Sequence, residues 1–126
     1  MDAPRRGLGY AGFARANRVR RRVDFVGIQE QGSRFSGVHY LLCARRRSAT
    51  ETTANARLGI TVSRKVGNAV ERNRVKRWVR ESYRRLQSMA PAGTDLVLIA
   101  RPSAKASGLQ ATRAELTTLL RRLGRP

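Results

Sequence analysis

The sequence predicts an α/β (α+β) two-layer sandwich, a small sheet with helices on one side, within one domain. Three observations carry that prediction. Asp95-Leu-Val-Leu-Ile-Ala100 is an almost continuous apolar run, the mark of a central strand buried on both faces. Leu58, Ile60 and Val62 alternate with Gly59, Thr61 and Ser63, the period of a strand with one buried face. Two longer segments, from Asn68 to about Gln87 and from Lys105 to Leu123, repeat apolar residues at helical spacing. The order helix, strands, helix, strand, helix places the two long helices on one sheet face and leaves the other face partly open.

Taken from the N-terminus, residues 1–17 read as a flexible basic arm, and residues 18–124 as the domain. From Val23 to Gln31, Asp24 can cap and Phe25 and Ile28 give a short apolar face, so one or two helical turns are expected, ended by Gly32. Phe35 to Cys43 is a β-rich run. Arg45 to Ala56 is polar and reads as a loop. Gly67-Asn68 turns the chain into the first long helix, with Asn68 as its cap. Met89 to Gly93 is a loop, and Arg101-Pro102 stops the apolar strand. Ser107 is a candidate cap for the last helix and Gly124 its terminator.

The chain has 126 residues, enough for one domain that buries roughly two-thirds of its unfolded surface. Its formal net charge is +19, from 27 Lys and Arg against 8 Asp and Glu. Such a charge opposes compaction and favours an anionic partner. The cations are mostly Arg, whose planar fork suits phosphate and whose flat face suits stacking. No segment approaches the roughly 20 apolar residues of a membrane span, and residues 1–22 lack the apolar run of a secretory signal. Cys43 is the one cysteine and His39 the one histidine, which excludes an internal disulfide and a Cys- or His-pair metal site. A cytoplasmic location is expected.

The first long helix is informative on both sides. On a helical wheel Val75, Trp78, Val79, Ser82, Tyr83 and Leu86 share one stripe, while Asn73, Arg77, Arg80 and Arg84 lie opposite, with Arg74, Lys76 and Arg85 on the flanks. Glu81 is the one acid between Arg72 and Arg85. Solvated faces usually interleave both signs, so this segregation points to phosphate. The preceding turn, Ser63 to Asn68, puts Arg64 and Lys65 beside a helix N-terminus, a place where backbone N–H groups accept anions. Trp78 and Cys43 read as core, and His39 as a strand-face residue. Phe25 and Tyr40 are open between core packing and stacking on unpaired bases. Asp24, Glu30, Glu71, Glu81 and Asp95 are scattered, and no nucleophile, base and oxyanion set is evident.

Ser63-Arg-Lys-Val-Gly-Asn-Ala-Val-Glu-Arg-Asn-Arg-Val-Lys-Arg77 resembles the signature of the protein subunit of bacterial ribonuclease P, with further matches at Arg57-Leu-Gly-Ile60, at Asp95 and Ile99-Ala-Arg-Pro102, and at Asp24-Phe25 with Gly32. The resemblance spans roughly residues 18–124. It implies a small, mostly antiparallel sheet with a left-handed β-α-β crossover through the basic helix, where general topology rules expect a right-handed one. It implies that Arg64, Lys65, Asn68, Arg72, Asn73, Arg74, Lys76, Arg77 and Arg80 bind the catalytic RNA subunit. Phe25, Tyr40, Arg57, Ser63 and Lys65 would line a cleft for the single-stranded 5′ leader of precursor tRNA, with Gln29 where the family often has a second aromatic. The RNA subunit, with Mg²⁺, would do the hydrolysis, with no membrane and no protein partner required. Rival readings are a ribosomal or assembly protein that binds structured RNA, and a metal-dependent nuclease acting alone.

Overall fold

The computed structural model describes residues 18, 19, 21–47 and 55–124. The arm expected over 1–17 and most of the loop expected before Ala56 lie outside the described residues. The elements are α1 (Arg22–Gln31), β1 (Ser33–Ser36), β2 (Tyr40–Arg46), β3 (Arg57–Thr61), α2 (Ala69–Leu86), β4 (Thr94–Ala100) and α3 (Gly108–Leu123). Single 3₁₀ turns follow α2 at Gln87–Met89 and precede α3 at Pro102–Ala106. The sheet order is β1-β2-β4-β3. β1 with β2 and β2 with β4 run antiparallel, and β3 with β4 parallel. Adjacent parallel strands β3 and β4 are thus joined by the crossover helix α2.

The apolar run 95–100 is central because it must be covered on both sides, and β4 is buried along almost its whole length. Its even-numbered residues Leu96, Leu98 and Ala100 enter the larger core with Leu42, Leu58, Val62, Val75, Val79, Tyr83, Leu116, Leu119 and Leu120. Val97 faces the other way and joins Ile28, Cys43 and Val19, with Phe25, Leu41 and Ile99 packed against them. So α2 and α3 cover one sheet face and α1 covers part of the other. Burial pushes the Tyr83 hydroxyl up to about 12, and Cys43 is a free, buried thiol whose ionisation burial also disfavours.

Four local expectations change. The β-rich run 35–43 is two strands and a turn: Gly37 N–H donates to Tyr40 O at 2.8 Å, and His39 lies in the turn. Glu115 of α3 holds that turn, accepting from the His39 N–H at 3.0 Å and the Tyr40 N–H at 2.8 Å. β2 runs on through Arg46, so Arg45 and Arg46 are strand and not loop. α1 has 10 residues, longer than two turns, and begins at Arg22 without a side-chain cap, leaving Asp24 in its first turn. Ser107 is already helical in backbone and does not cap α3; its Oγ donates to Ala104 O at 2.7 Å. Gly32 does end α1, in extended backbone, because a side chain there would strike Ile28 O and Ala44 O.

Asp95 fixes one end of the sheet. Arg57 is its neighbour across the β3–β4 ladder and donates two bonds, Nε to Oδ1 and Nη2 to Oδ2, each 2.7 Å. Arg47 Nη1 donates to Oδ1 at 2.6 Å, and its Nη2 to Asn55 O at 2.6 Å. Asp95 and Arg47 are both buried. Burial raises the Asp95 carboxyl, but hydrogen bonds and charge from Arg57 and Arg47 outweigh it and hold the group below its ordinary 3.8. Removing one member strands a buried charge, so Asp95→Asn should cost roughly 3–5 kcal/mol in denaturant unfolding. Because the folded value lies below the unfolded one, this contribution is complete above 3.8 and is lost as pH falls through the lowered value. Thermal melts against pH should show that acid-side loss in the native chain and not in Asp95→Asn.

Candidate nucleic-acid interface

Two surfaces are candidates for contact with a nucleic acid, and the sheet sets both. The first is the outer face of α2. The helix starts in a capping box: Asn68 Oδ1 accepts from Glu71 N–H and Glu71 Oε1 accepts from Asn68 N–H, each at 2.9 Å. Val75, Val79, Ser82 and Tyr83 are buried, with Trp78 and Leu86 packed against the core, as the wheel requires. The opposite side presents Asn73, Arg74, Arg77 and Arg85 exposed and Arg72, Lys76, Arg80 and Arg84 half-buried. Each like-charge pair one turn apart costs a few tenths of a kcal/mol. Each fully buried Val or Tyr on the inner stripe returns about 1.5–3 kcal/mol. Packing therefore wins, and the helix can hold a row of cations that would melt it in isolation.

The turn before α2 keeps Ser63, Arg64 and Lys65 exposed. Its N-terminus is not an open anion site, because Glu71 already places a carboxylate on the Asn68 N–H. Asn68 is engaged as the cap through its side-chain oxygen and remains exposed.

The second surface is the sheet face beneath α1. Register places three cross-sheet rows there. Ser36, Leu41, Ile99 and Thr61 form one, Arg34, Cys43, Val97 and Gly59 the next, and Arg45, Asp95 and Arg57 the third. α1 covers the middle row: Ile28 packs on Cys43 and Val97, and the Phe25 ring lies against Gly59. The first row stays half-open at Leu41, Ile99 and Thr61. Gln29 Nε2 reaches Thr61 Oγ1 at 3.5 Å across it, and Arg101 Nη2 donates to Ser36 Oγ at 2.6 Å at its far side. The result is a shallow apolar strip edged by amide, hydroxyl and guanidinium groups, a surface suited to unpaired bases and a phosphate chain.

One residue expected in this cleft is elsewhere. Tyr40 is 1% exposed and points into the helical core, its hydroxyl 2.8 Å from Thr112 Oγ1. One-residue alternation decides this: Leu41 and Cys43 face α1, so Tyr40 and Leu42 cannot. Arg57 lies on the cleft face, in the third row, half-buried, with its fork donating to Asp95. Phe25 does lie on the cleft side, half-buried. Leu41, Ile99, Thr61, Ser36 and Arg101 were not assigned to this face from sequence. Their signal was the parity of the 95–100 run, which becomes readable only once the turn at Gly37 sets the register of β2.

Among the described residues there is no group of three or more His, Cys, Asp and Glu able to hold a metal ion. Asp95, the most buried carboxylate among the described residues, is covered by two guanidinium groups. No described helix is long and apolar enough to cross a membrane.

Comparison with known proteins agrees with this architecture. The family model described as Ribonuclease P matches residues 13–124. The ribonuclease P protein component of Desulfovibrio desulfuricans is 44% identical over 110 residues, covering 86% of this chain and 83% of that protein. That of Brevibacillus brevis is 39% identical over 108 residues, with the same shares covered. The Staphylococcus aureus RNase P protein superposes with a TM-score of 0.76 at 30% identity, over 87% of this chain and 97% of that one. The Thermotoga maritima RNase P protein gives 0.73 at 35%, over 83% and 96%. With its sheet order, its cationic crossover helix and these likenesses in agreement, the chain belongs to the ribonuclease P protein family.

Proposed function

We propose that this chain is the protein subunit of a cytoplasmic ribonuclease P ribonucleoprotein, that the outer face of α2 docks on the catalytic RNA, and that the half-open sheet face holds the 5′ leader of precursor tRNA. The observation that carries this reading is the segregation on α2: exposed Asn73, Arg74 and Arg77 stand opposite a fully packed stripe. Arg64, Lys65, Arg72, Lys76 and Arg80 extend the same positive surface. Their role is electrostatic and positional. They neutralise phosphates and release counterions, while the strip beside Phe25 and the exposed Ser63 and Lys65 favour a substrate that still carries its leader.

Hydrolysis of the phosphodiester at the mature 5′ end belongs, in this reading, to the RNA subunit with Mg²⁺. Among the described residues no carboxylates gather into a metal centre: Asp95 is clamped by arginines and Glu71 caps a helix. In this reading Mg²⁺ is held by RNA, and no protein partner is required.

Reconstitution tests the whole reading. Added to a bacterial ribonuclease P RNA at low Mg²⁺, the protein should restore 5′ processing of a precursor tRNA, and should cleave nothing by itself. Failure to stimulate the RNA, or cleavage without it, rejects the proposal. Arg74→Ala and Arg77→Ala should each weaken RNA-subunit binding and flatten its log–log salt dependence by about 0.7–0.9 per lost phosphate contact. Slopes unchanged in both variants would remove α2 from the dock.

The leader cleft has its own test. A methyl at Gly59 would sit 2.6 Å from the Phe25 ring, so Gly59→Ala must displace that ring. Both Gly59→Ala and Phe25→Ala should reduce the preference for precursor over mature tRNA, by about one stacking contact of 1–3 kcal/mol. Reduced stability with an intact preference would make Phe25 packing alone.

A further inference from the structure

The arginines of this chain divide into two sets. Those beside the β1–β2 hairpin donate to groups of the fold: Arg34 to Gln29 O, Arg101 to Ser36 Oγ and Arg122 to Ser36 O. The side chains of Arg85 on α2 and of Arg113 and Arg121 on α3 bond to nothing among the described residues. Arg113 Nε is also buried. Buried donors without an acceptor are rare in folded proteins, and an anion that draws this guanidinium outward would satisfy it.

Topology brings this second set together. β3 and β4 are parallel, α2 returns from the end of β3 to the start of β4, and α3 leaves from the end of β4. Both helices therefore run opposite to the strands and parallel to each other, packed side by side. On α2, Lys76 and Arg80 stand by the outer edge of β3. The flank turned to α3 then carries Trp78, Glu81 and Arg85, at helical spacing. On α3, Glu115 and Arg122 reach the β1–β2 hairpin. The flank turned to α2 then carries Arg113, Thr117 and Arg121. Arg85 and Arg121 are in the last turns of their helices, so they close the same end of the groove. Arg113 lies about 12 Å back along α3, at about 1.5 Å per residue.

The chemistry of this groove selects its partner. Its cations come from both walls, so they can meet the phosphates of two strands. Its aromatic, Trp78, packs against the core, so the groove lacks the open platform on which unpaired bases stack. Duplex RNA hides its bases and presents phosphates and 2′-hydroxyls. Glu81, the acid on this flank, repels phosphate but accepts from a hydroxyl. We propose that the α2–α3 groove grips a base-paired stem of the RNA subunit, with Arg85, Arg113 and Arg121 on phosphates of both strands and Glu81 on a 2′-hydroxyl. The groove adjoins the outer face of α2 and lies across the sheet from the leader cleft, which assigns the stem to the RNA subunit and not to the leader. The proposal rests on the reading of α2 as the dock, and brings α3 into it.

Hydroxyl-radical footprinting of a bacterial ribonuclease P RNA on the full chain tests it. The Arg113→Ala, Arg121→Ala double variant should lose protection in one paired stem. Its binding should weaken about tenfold per lost contact and its log–log salt slope flatten by about 0.9 per phosphate, with the melt of the free protein unchanged. Lysine at both positions should restore the slope. An intact footprint and slope in the alanine variant, or protection lost only from unpaired nucleotides, overturns the proposal. A lowered melt without recovery by lysine makes these arginines supports of the helix and overturns it as well. Glu81→Ala should lose affinity; a gain would mean simple repulsion and reject the hydroxyl contact. Native protein that binds no RNA refutes the underlying function, whereas native binding with an indifferent double variant refutes the groove alone.

Discussion

The pair of arginines on Asp95 is the interaction on which the sheet depends. Arg57 ties edge strand β3 to β4, and Arg47 ties the end of β2 to the same carboxylate and to Asn55. One buried negative charge thereby joins three strands that come from distant parts of the sequence. A chain with 27 basic and 8 acidic residues has few carboxylates to use in this way. Several are turned inward as braces: Asp95 at the sheet end, Glu71 at the start of α2, Glu115 on the turn between β1 and β2. Acids spent on internal backbone and guanidinium groups are not available to mask the outer face of α2. The same economy that holds the fold leaves that face strongly positive.

Much of this was legible from residues alone. The stripe from Val75 to Leu86 repeats at helical spacing and is long enough to fix both the buried and the exposed side of α2. The 95–100 run is too apolar to be anything but central, and β4 does lie between β2 and β3. Asn68 as cap follows from local chemistry, since its partner is three residues away. The long resemblance around Gly67 and Asn73 settled the family because it is contiguous.

What escaped depends on contacts across long separations. The turn at Gly37-Val38-His39 lacks a strong turn pair, and the group that holds it, Glu115, is more than seventy residues away. Without that turn the parity of β2 was undetermined, and Tyr40 could be placed on either face. The brace from Arg57 to Asp95 was hidden because the two are 38 positions apart. The cationic dock was readable because one helix supplies it, and the sheet-face cleft was not because four strands share it.

The strand order has a consequence for how the molecule is made. β2 and β3 are not neighbours; β4 separates them and is hydrogen-bonded to both. On a chain emerging N-terminus first, the β1–β2 hairpin can close early, but β3 must wait through the whole of α2 for its ladder partner. The crossover helix, with its cap and its row of arginines, is thus complete before the platform that orients it. Non-local pairing of this kind is slow and leaves apolar strands uncovered in the interval. Residues 94–100 therefore act as the keystone of assembly, and the protein acquires its two differently facing surfaces in one late, cooperative step.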